Sequence, residues 1–565
     1  MCAAKHDAGA VPRTGAVLRG TPVVPGVGHG PVVRPGPAPG VPDDESVPRD
    51  APDARMSRFA CAAEAVATRL EELSHNTTGA AAEVLVATAG LARDSGLAAF
   101  VSKRVYAGSG ASAATAGAVA ELSDMFRATG GIMAERVTDL VDVRDRIIAR
   151  LTGQPEPGMP VPDVPSVLLA YDLAPADTAG LDPSLVLAIA TELGGPTSHT
   201  AIIARQLGIP CVVAVPGLAK LPAGTSVLVD GSTGEVVPEP DPKLARERTV
   251  TAAALRQAAA SWRGPGATRD GHRVEILANV QDGAGARRAA AMPVEGVGLF
   301  RTELCFLGSD GEPGVERQAQ AYAEVFAAMG ERKVVIRTLD AGSDKPLSFV
   351  TTPDEPNPAL GIRGLRIARE HPGILQRQLD AIALAAEDAA SGPVWVMAPM
   401  VSTVAEAKAF GALVRDRGLV AGAMVEVPSA ALQAPGLMRH LDFVSLGTND
   451  LSQYALAADR MTPALSDLTD PWQPALLQLV AMTAAAGRAA GKPVGVCGES
   501  AADPLLGCVL VGLGATSLSS AGTAAPAVGA QLSKVDLAQC EAAAAAVLDT
   551  DDPADARAAA RAVLL

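Results

Sequence analysis

The sequence predicts a multidomain α/β protein: a small β/α domain, interrupted by an all-helical insert, then a (β/α)8 TIM-type barrel. Three observations carry this. The chain has 565 residues, enough for about three or four domains at a prior of roughly 150 residues each. It is 48% hydrophobic and 19% charged, so it can bury a large core, which excludes wholesale disorder. Strand-like and helix-like patterns alternate from about His272 to the C-terminus, whereas residues 55–151 read as helix throughout.

Residues 1–15 form a tail. TPVVPGVGHGPVV suits a strand and tight turns. PGPAPGVPDDESVPRDAPDA cannot hold a helix interior, because each proline removes a donor and clashes with the preceding turn. From Arg55 to Leu151 apolar residues recur every three or four positions, no proline intervenes, and breaks fall at glycines. TGQPEPGMPVPDVP is a second linker. SVLLAYDLAP, LVLAIATELGG, CVVAVPG and SVLVDGSTGEVVP are short Val/Leu runs bounded by Gly, Pro and Asp, and read as strands, with the helix SHTAIIARQLG between the second and third. DPKLARERTVTAAALRQAAASWRG is a connecting helix. The expected boundaries are residues 16–50 and 152–240 for the β/α domain, 51–151 for the helical insert, 241–262 for the linker helix and 263–565 for the barrel.

In the last part the expected strands are RVEILANV, EGVGLF, KVVIRT, VWVMAPM, AGAMVEV, DFVSLG, KPVGVCG and VLVGLGATSLS. Eight βα units in roughly 290 residues fit a barrel, for which ~250 is typical. A doubly wound open sheet is the alternative. The polar residues just past the strands favour the barrel: Asn279, Arg301-Thr302-Glu303, Arg337 with Asp340, Glu426, Asn449-Asp450 and Cys497 each sit at a strand end. A barrel gathers all eight ends on one face, whereas an open sheet spreads them along an edge.

Lys+Arg of 47 against Asp+Glu of 62 gives a net charge of −15. That argues against nucleic-acid binding, which needs a basic face for counterion release, but not against a local phosphate pocket. The seven cysteines are scattered and form no CxxC pair, so neither a disulfide framework nor a zinc cage is expected. The N-terminus has no signal-peptide core, and the longest apolar stretch, around LLGCVLVGLGATSL, falls short of the ~20 residues a span requires. The expectation is a cytoplasmic protein with no membrane insertion.

Arg301, Arg337 and Arg460 lie at or near strand ends, where burial is costly unless an anion pairs with them. Several guanidiniums aimed at one face point to a phosphate or carboxylate ligand. Taken singly, each is as well read as a rim ion pair; the repetition strand after strand is what favours a site. Glu426 and Asp450 fall in the same zone, and an all-oxygen set of one or two carboxylates suits Mg2+. Cys497, flanked by glycine in VGVCGES, is placed as a thiol proton donor, although an arbitrary cysteine is more often a buried structural residue. His199 comes after a Gly194-Gly195-Pro196 turn and the hydroxyls of Thr197 and Ser198, and a helix begins there. A helix N-terminus stabilises negative charge, which suits a histidine carrying a covalent phosphate. A histidine that merely caps a turn is the competing reading.

These segments together resemble Enzyme I of the bacterial sugar phosphotransferase system, the phosphoenolpyruvate–protein phosphotransferases. The resemblance rests on GGPTSHTAIIARQLGIPCVV, DGHRVEILANV, EGVGLFRTELCFL, VVIRTLDAGSDKPL, NPALGIRGLR, MVEVPSAAL, DFVSLGTNDLSQYALAADR and GKPVGVCGES, in the family's order from about residue 170 to 520. It implies that the β/α domain is a swivelling phosphohistidine domain, that the insert docks the carrier HPr, and that the barrel binds phosphoenolpyruvate and dimerises. Position by position, His199 matches the phosphorylated histidine, and Arg301, Arg337 and Arg460 match the substrate arginines. Glu426 and Asp450 match the Mg2+ ligands, Asn449 and Asp450 lie at the substrate phosphate, and Cys497 matches the acid that yields pyruvate. Lys345 and Arg363 are further members of the pocket. Pro196 departs from the arginine common at that point of the motif. Two rivals remain: an ATP-dependent phosphoenolpyruvate synthase or dikinase, which needs a nucleotide-binding domain of a few hundred residues, and a non-catalytic regulatory homologue with a decayed barrel.

Overall fold

The computed structural model describes residues 17–565 except 42–49, 76–79, 130–135, 159–161, 175–176, 178–180, 196–197, 307–310, 343–346, 348, 351–354, 389–391, 461, 463–464 and 466. Two compact units, Met1–Ala253 and Ala254–Leu565, divide within the helix Pro242–Ser261.

The first unit is built on strands β1 (Leu18–Arg19), β2 (Thr21–Val24), β3 (Val27–Val33), β4 (Ser166–Ala170), β5 (Val186–Thr191), β6 (Cys211–Val213), β7 (Ser226–Asp230) and β8 (Glu235–Pro238). Their order is β1-β8-β7-β3-β4-β5-β6-β2. The segment β3-β4-β5-β6 is parallel, whereas β7, β8 and β2 run antiparallel to their neighbours. Gly20 lets the first strand pass from one edge to the other: a Cβ there would lie 2.5 Å from the Val213 carbonyl oxygen. Between β5 and β6 runs the helix His199–Leu207, stopped by left-handed Gly208 at φ 68°. SVLVDGSTGEVVP is thus a hairpin, with the turn at Gly231–Gly234.

The helical insert comes after β3. Helices Pro52–His75, Ala80–Ala92, Ser95–Tyr106, Ala111–Thr129 and Val137–Thr152 share a core of Phe59, Val66, Leu70, Leu85, Leu97, Val101, Val105, Val119, Val143 and Ile147. By length and composition Val84–Tyr106 is the candidate membrane span among the described residues. Asp94 splits it, accepting from the Leu97 N–H as the cap of a new helix, and Leu85 and Ala89 from one half and Leu97, Val101 and Val105 from the other are buried in the insert core. Arg146 ties the insert to the sheet domain. It donates through Nε to both Asp142 oxygens at 3.0 and 2.9 Å and through Nη2 to Asp177, beyond β4, at 3.3 Å; Glu156 lies 3.7 Å away.

The second unit is a closed barrel of β9 (Glu275–Val280), β10 (Gly296–Arg301), β11 (Lys333–Arg337), β12 (Val394–Ala398), β13 (Val420–Val425), β14 (Phe443–Leu446), β15 (Val494–Val496) and β16 (Ser517–Ser520). All neighbours are parallel, and β16 pairs with β9. The barrel expected from the polar strand ends is therefore the observed fold, not the open sheet. One element differs: in VLVGLGATSLS, residues 509–513 belong to the helix Pro504–Leu513 and only Ser517–Ser520 is strand. A short apolar run has no period that separates a buried helix from a buried strand. Here Gly514, left-handed at φ 111°, ends the helix and lets the chain turn into β16.

Replacing Arg146 by alanine leaves Asp142 and Asp177 without their guanidinium in a site where the arginine side chain is only 8% exposed, while Glu156 keeps Arg150 at 2.6 Å. It should destabilise the N-terminal unit by about 3–5 kcal/mol, read as a fall in the urea midpoint of its helical signal; a change below the scatter of repeat melts would show the network to be energetically neutral.

Candidate active site

The carboxyl ends of the barrel strands are aligned by register. Arg301 of β10 pairs directly with Arg337 of β11, so two guanidiniums project from adjacent strand ends. Val425, Leu446 and Val496 also lie in register, which places the next residues, Glu426, Gly447 and Cys497, in a row across the same mouth. In a β/α barrel this face carries the chemistry, because eight loops converge on it.

Arg337 is buried, and its Nη2 donates to Glu303 Oε1 at 2.6 Å while Nη1 lies 3.1 Å from Asp340 Oδ2. Among the described residues its Nε has no hydrogen-bond partner. Burial works against the charge, but Glu303, Asp340 and Glu426 outweigh it and raise the arginine's pKa. Arg363 is 1% exposed. It donates to Asp340 from Nη2 at 3.0 and 3.2 Å, and from Nη1 to Asp450 Oδ1 and Tyr454 OH, both at 3.3 Å. Asp340, fully buried, therefore bridges two arginines. Among the described residues no carboxylate pairs with Arg301, which is half-buried.

Glu426 is 0% exposed. Its Oε1 accepts from the Met400 N–H at 2.6 Å, and Met400 adopts a left-handed φ of 57° to make that donation. Such backbone strain in a non-glycine residue costs of order 1–3 kcal/mol. Among the described residues Glu426 Oε2 has no partner. Burial, then Asp340 and Asp450, push this carboxyl up to about 8 against the pull of Arg337. A buried carboxylate oxygen without a donor, beside a second carboxylate, fits a hard cation that takes its remaining ligands from water and substrate oxygens. Among the described residues no group of three or more His, Cys, Asp or Glu could hold a metal by itself.

Cys497 lies just past β15 and is buried; its Sγ donates to the Leu446 carbonyl at 3.5 Å. The Cys497 carbonyl accepts from Asn279 Nδ2 at 3.1 Å, and Asn279 Oδ1 accepts from Ser519 at 2.7 Å. Burial pushes the thiol up to about 11, although Ser445, Arg337 and Arg301 pull the other way. Glycine is required next to it: a Cβ on Gly498 would lie 2.0 Å from Thr448 Oγ1. Asn449, on the helix Thr448–Leu456, accepts from the Glu499 N–H at 2.9 Å and so joins the β14 and β15 ends.

Arg301, Arg337, Arg363, Glu426, Asn449, Asp450 and Cys497 all lie at this mouth. Among the described residues Arg460 touches none of them: it is exposed beyond the left-handed Ala457, and its backbone N–H donates to Gln453 at 3.2 Å. Lys345 and Pro196 lie outside the described residues. His199 belongs to the other unit and is the first residue of its helix, whose cap Ser198 accepts from the Ala201 N–H. Gly194, at φ 96°, makes the preceding turn. Thr302 is visible in the sequence as the middle of Arg301-Thr302-Glu303 and Tyr454 within DFVSLGTNDLSQYALAADR, but nothing there assigns either a role. Met400, which acts through its backbone, and Gln378 carry no sequence signal at all.

Three family models match in chain order: "PEP-utilising enzyme, N-terminal" over residues 19–136, "mobile domain" over 162–234 and "PEP-binding domain" over 256–537. The chain is 51% identical over 552 residues to a phosphoenolpyruvate-protein phosphotransferase of Streptomyces coelicolor, covering 97% of this chain and 99% of that one. It is 38% identical to that of Haloferax volcanii, over 77% of this chain and 79% of the other, and 36% identical to that of Bacillus subtilis, over 72% and 74%.

The thiol pKa gives a labelling prediction. Only the thiolate is alkylated, and a thiol at about 11 stays protonated at pH 8. Iodoacetamide at pH 8 should modify exposed Cys61 and leave Cys497 untouched, with labelling of Cys497 rising only as pH climbs towards 11. Peptide mapping that finds both modified at equal rates at pH 8 would overturn the assignment of a protonated, buried thiol.

Proposed function

The chain belongs to the family of phosphoenolpyruvate–protein phosphotransferases, and from that premise we propose that it moves the phosphoryl group of phosphoenolpyruvate to its own His199 and then to a histidine of the phosphocarrier HPr, releasing pyruvate. The observation that supports this most is the register pair Arg301–Arg337 beside the orphan oxygen of Glu426: cations for a small anion bearing both a phosphate and a carboxylate, with a carboxylate able to share a metal with it.

Phosphoryl transfer depends chiefly on positioning and charge stabilisation. Arg301 and Arg337 hold the phosphate and carboxylate, with Arg363 anchored behind them on Asp340. Asn449 takes up a phosphate oxygen, and Asp450 lies beside it. A ring nitrogen of His199 attacks phosphorus as the bond to the enol oxygen breaks. The enolate takes a proton at its methylene carbon from Cys497, giving pyruvate, and solvent returns a proton to the thiolate. Glu426 and Asp450 would hold Mg2+, which when bound neutralises charge on the phosphoryl oxygens. Phosphohistidine then passes its phosphoryl group to the carrier histidine and regenerates free His199. Docking of HPr on the helical insert, a homodimer formed through the barrel and a cytoplasmic location belong to the same reading.

The test is incubation of the purified chain with phosphoenolpyruvate and Mg2+, then intact mass and peptide mapping. One acid-labile phosphoryl group on His199, discharged by HPr and absent when EDTA is added, is expected; none on any histidine would sink the reading. His199→Ala should abolish phosphorylation. Cys497→Ala should slow pyruvate formation by about 10²–10⁴-fold while KM for phosphoenolpyruvate moves by less than about threefold; equal losses in both would make Cys497 structural. Since burial pushes the thiol up to about 11, loss of the proton donor should depress the rate only as pH rises towards that value.

A further inference from the structure

Behind the two substrate arginines, a chain of buried polar side chains runs through the barrel wall. Gln378, on the helix Pro372–Asp388, is 1% exposed. Its Oε1 accepts from the Leu339 N–H at 2.9 Å, and its Nε2 donates to Thr302 Oγ1 and Tyr322 OH, both at 3.1 Å. Thr302 in turn donates to the Arg337 carbonyl at 3.0 Å. Tyr322 donates to Gln318 at 3.0 Å, and Gln318 donates to the Pro313 carbonyl at 2.8 Å.

Two of the bonds made by Gln378 go to the loops that carry the site. Thr302 lies between Arg301 and Glu303; Leu339 lies between Arg337 and Asp340. The ladder between β10 and β11 ends at the Arg301–Arg337 pair, so beyond those residues strand pairing no longer sets the distance between the loops. The Thr302–Gln378 unit takes over there, pinning the Arg337 carbonyl on one side of Thr338 and the Leu339 N–H on the other. The direction of each bond is determined: the Gln378 amide uses both its carbonyl and its N–H groups, and the Thr302 hydroxyl accepts from Gln378 while donating to Arg337. A fully satisfied buried network of this kind specifies one arrangement, whereas removal of one member leaves costly unpaired groups.

We propose that Gln378 and Thr302 are positioning residues that set the spacing of the Arg301 and Arg337 guanidiniums for the phosphate and carboxylate of phosphoenolpyruvate. This rests on the function proposed above. Neither side chain touches substrate; both act through the two loops. Their loss should therefore weaken use of phosphoenolpyruvate specifically and leave the carrier half-reaction alone.

The experiment uses the full chain and measures KM for phosphoenolpyruvate, KM for HPr and the thermal midpoint. Gln378→Met and the isosteric Thr302→Val should each raise KM for phosphoenolpyruvate on the order of tenfold and leave KM for HPr within about twofold. Thr302→Ser, which keeps the hydroxyl, should restore the wild-type value. The double variant should lose roughly what one does, since both break the same unit. Tyr322→Phe removes one acceptor of Gln378 but keeps its bonds to Thr302 and Leu339; it should lower the midpoint slightly without moving either KM. If Gln378→Met lowers the midpoint but leaves KM for phosphoenolpyruvate unchanged, or if Thr302→Ser is as defective as Thr302→Val, the network is merely structural. A wild-type chain that phosphoenolpyruvate does not phosphorylate overturns the functional reading, and the positioning role with it; active wild type with unaffected variants overturns the positioning role alone.

Discussion

The register that sets Arg301 beside Arg337 at the carboxyl ends of adjacent parallel strands is the constraint on which the rest of the barrel mouth depends. Two like charges at neighbouring strand positions repel, and burial removes the water that would screen them. The surrounding structure answers with acids: Glu303 and Asp340 on Arg337, and Asp340 and Asp450 on Arg363. Arg301 alone of the three keeps no carboxylate among the described residues, so its guanidinium is the one most open to an incoming anion.

The acids are not perfectly balanced either. Glu426 and Asp450 share the mouth with Asp340, and the burial and mutual repulsion of these groups hold the Glu426 carboxyl up at about 8. One oxygen of Glu426 meets no donor, a feature rare in buried side chains. The mouth thus combines an arginine without a described acid and a carboxylate oxygen without a donor. A substrate with two anionic groups, bound together with a divalent cation, satisfies both at once, and the arrangement makes physical sense as half of a larger charge cluster.

Backbone geometry at a few points lets these charges approach. Gly498 allows the Cys497 turn to lie against Thr448, and a Cβ on Gly447 would stand 2.9 Å from Met424 and 3.0 Å from Glu426 Oε2. Met400 accepts a left-handed φ so that its N–H faces Glu426. In the other unit Gly194 and Gly208 bracket a one-helix connection between parallel strands, which presents His199 at the helix start. Each is a place where local preference yields to the needs of a site.

By itself the sequence determined the fold class, since alternating apolar runs of strand and helix length with turn residues between them are local properties that survive in the final structure. It also located polar residues at or just past most of the barrel strand ends, because those ends are marked by the switch from apolar to polar side chains. Where a signal is not local, it fell short. The run VLVGL is equally apolar as helix or strand, and only the turn at Gly514 and the space behind β16 made it helix. Arg460 shares a motif with Asn449 and Asp450 yet stands exposed, because Ala457 turns the chain out of the helix that carries them. Tertiary structure alone decided that Gln378, an ordinary polar residue on a helix facing the barrel, would join the loops of Arg301 and Arg337. Hydrogen bonds between residues 76 and 39 positions apart leave no trace in any window of sequence; they exist only once the barrel closes and brings a helix against two strand ends.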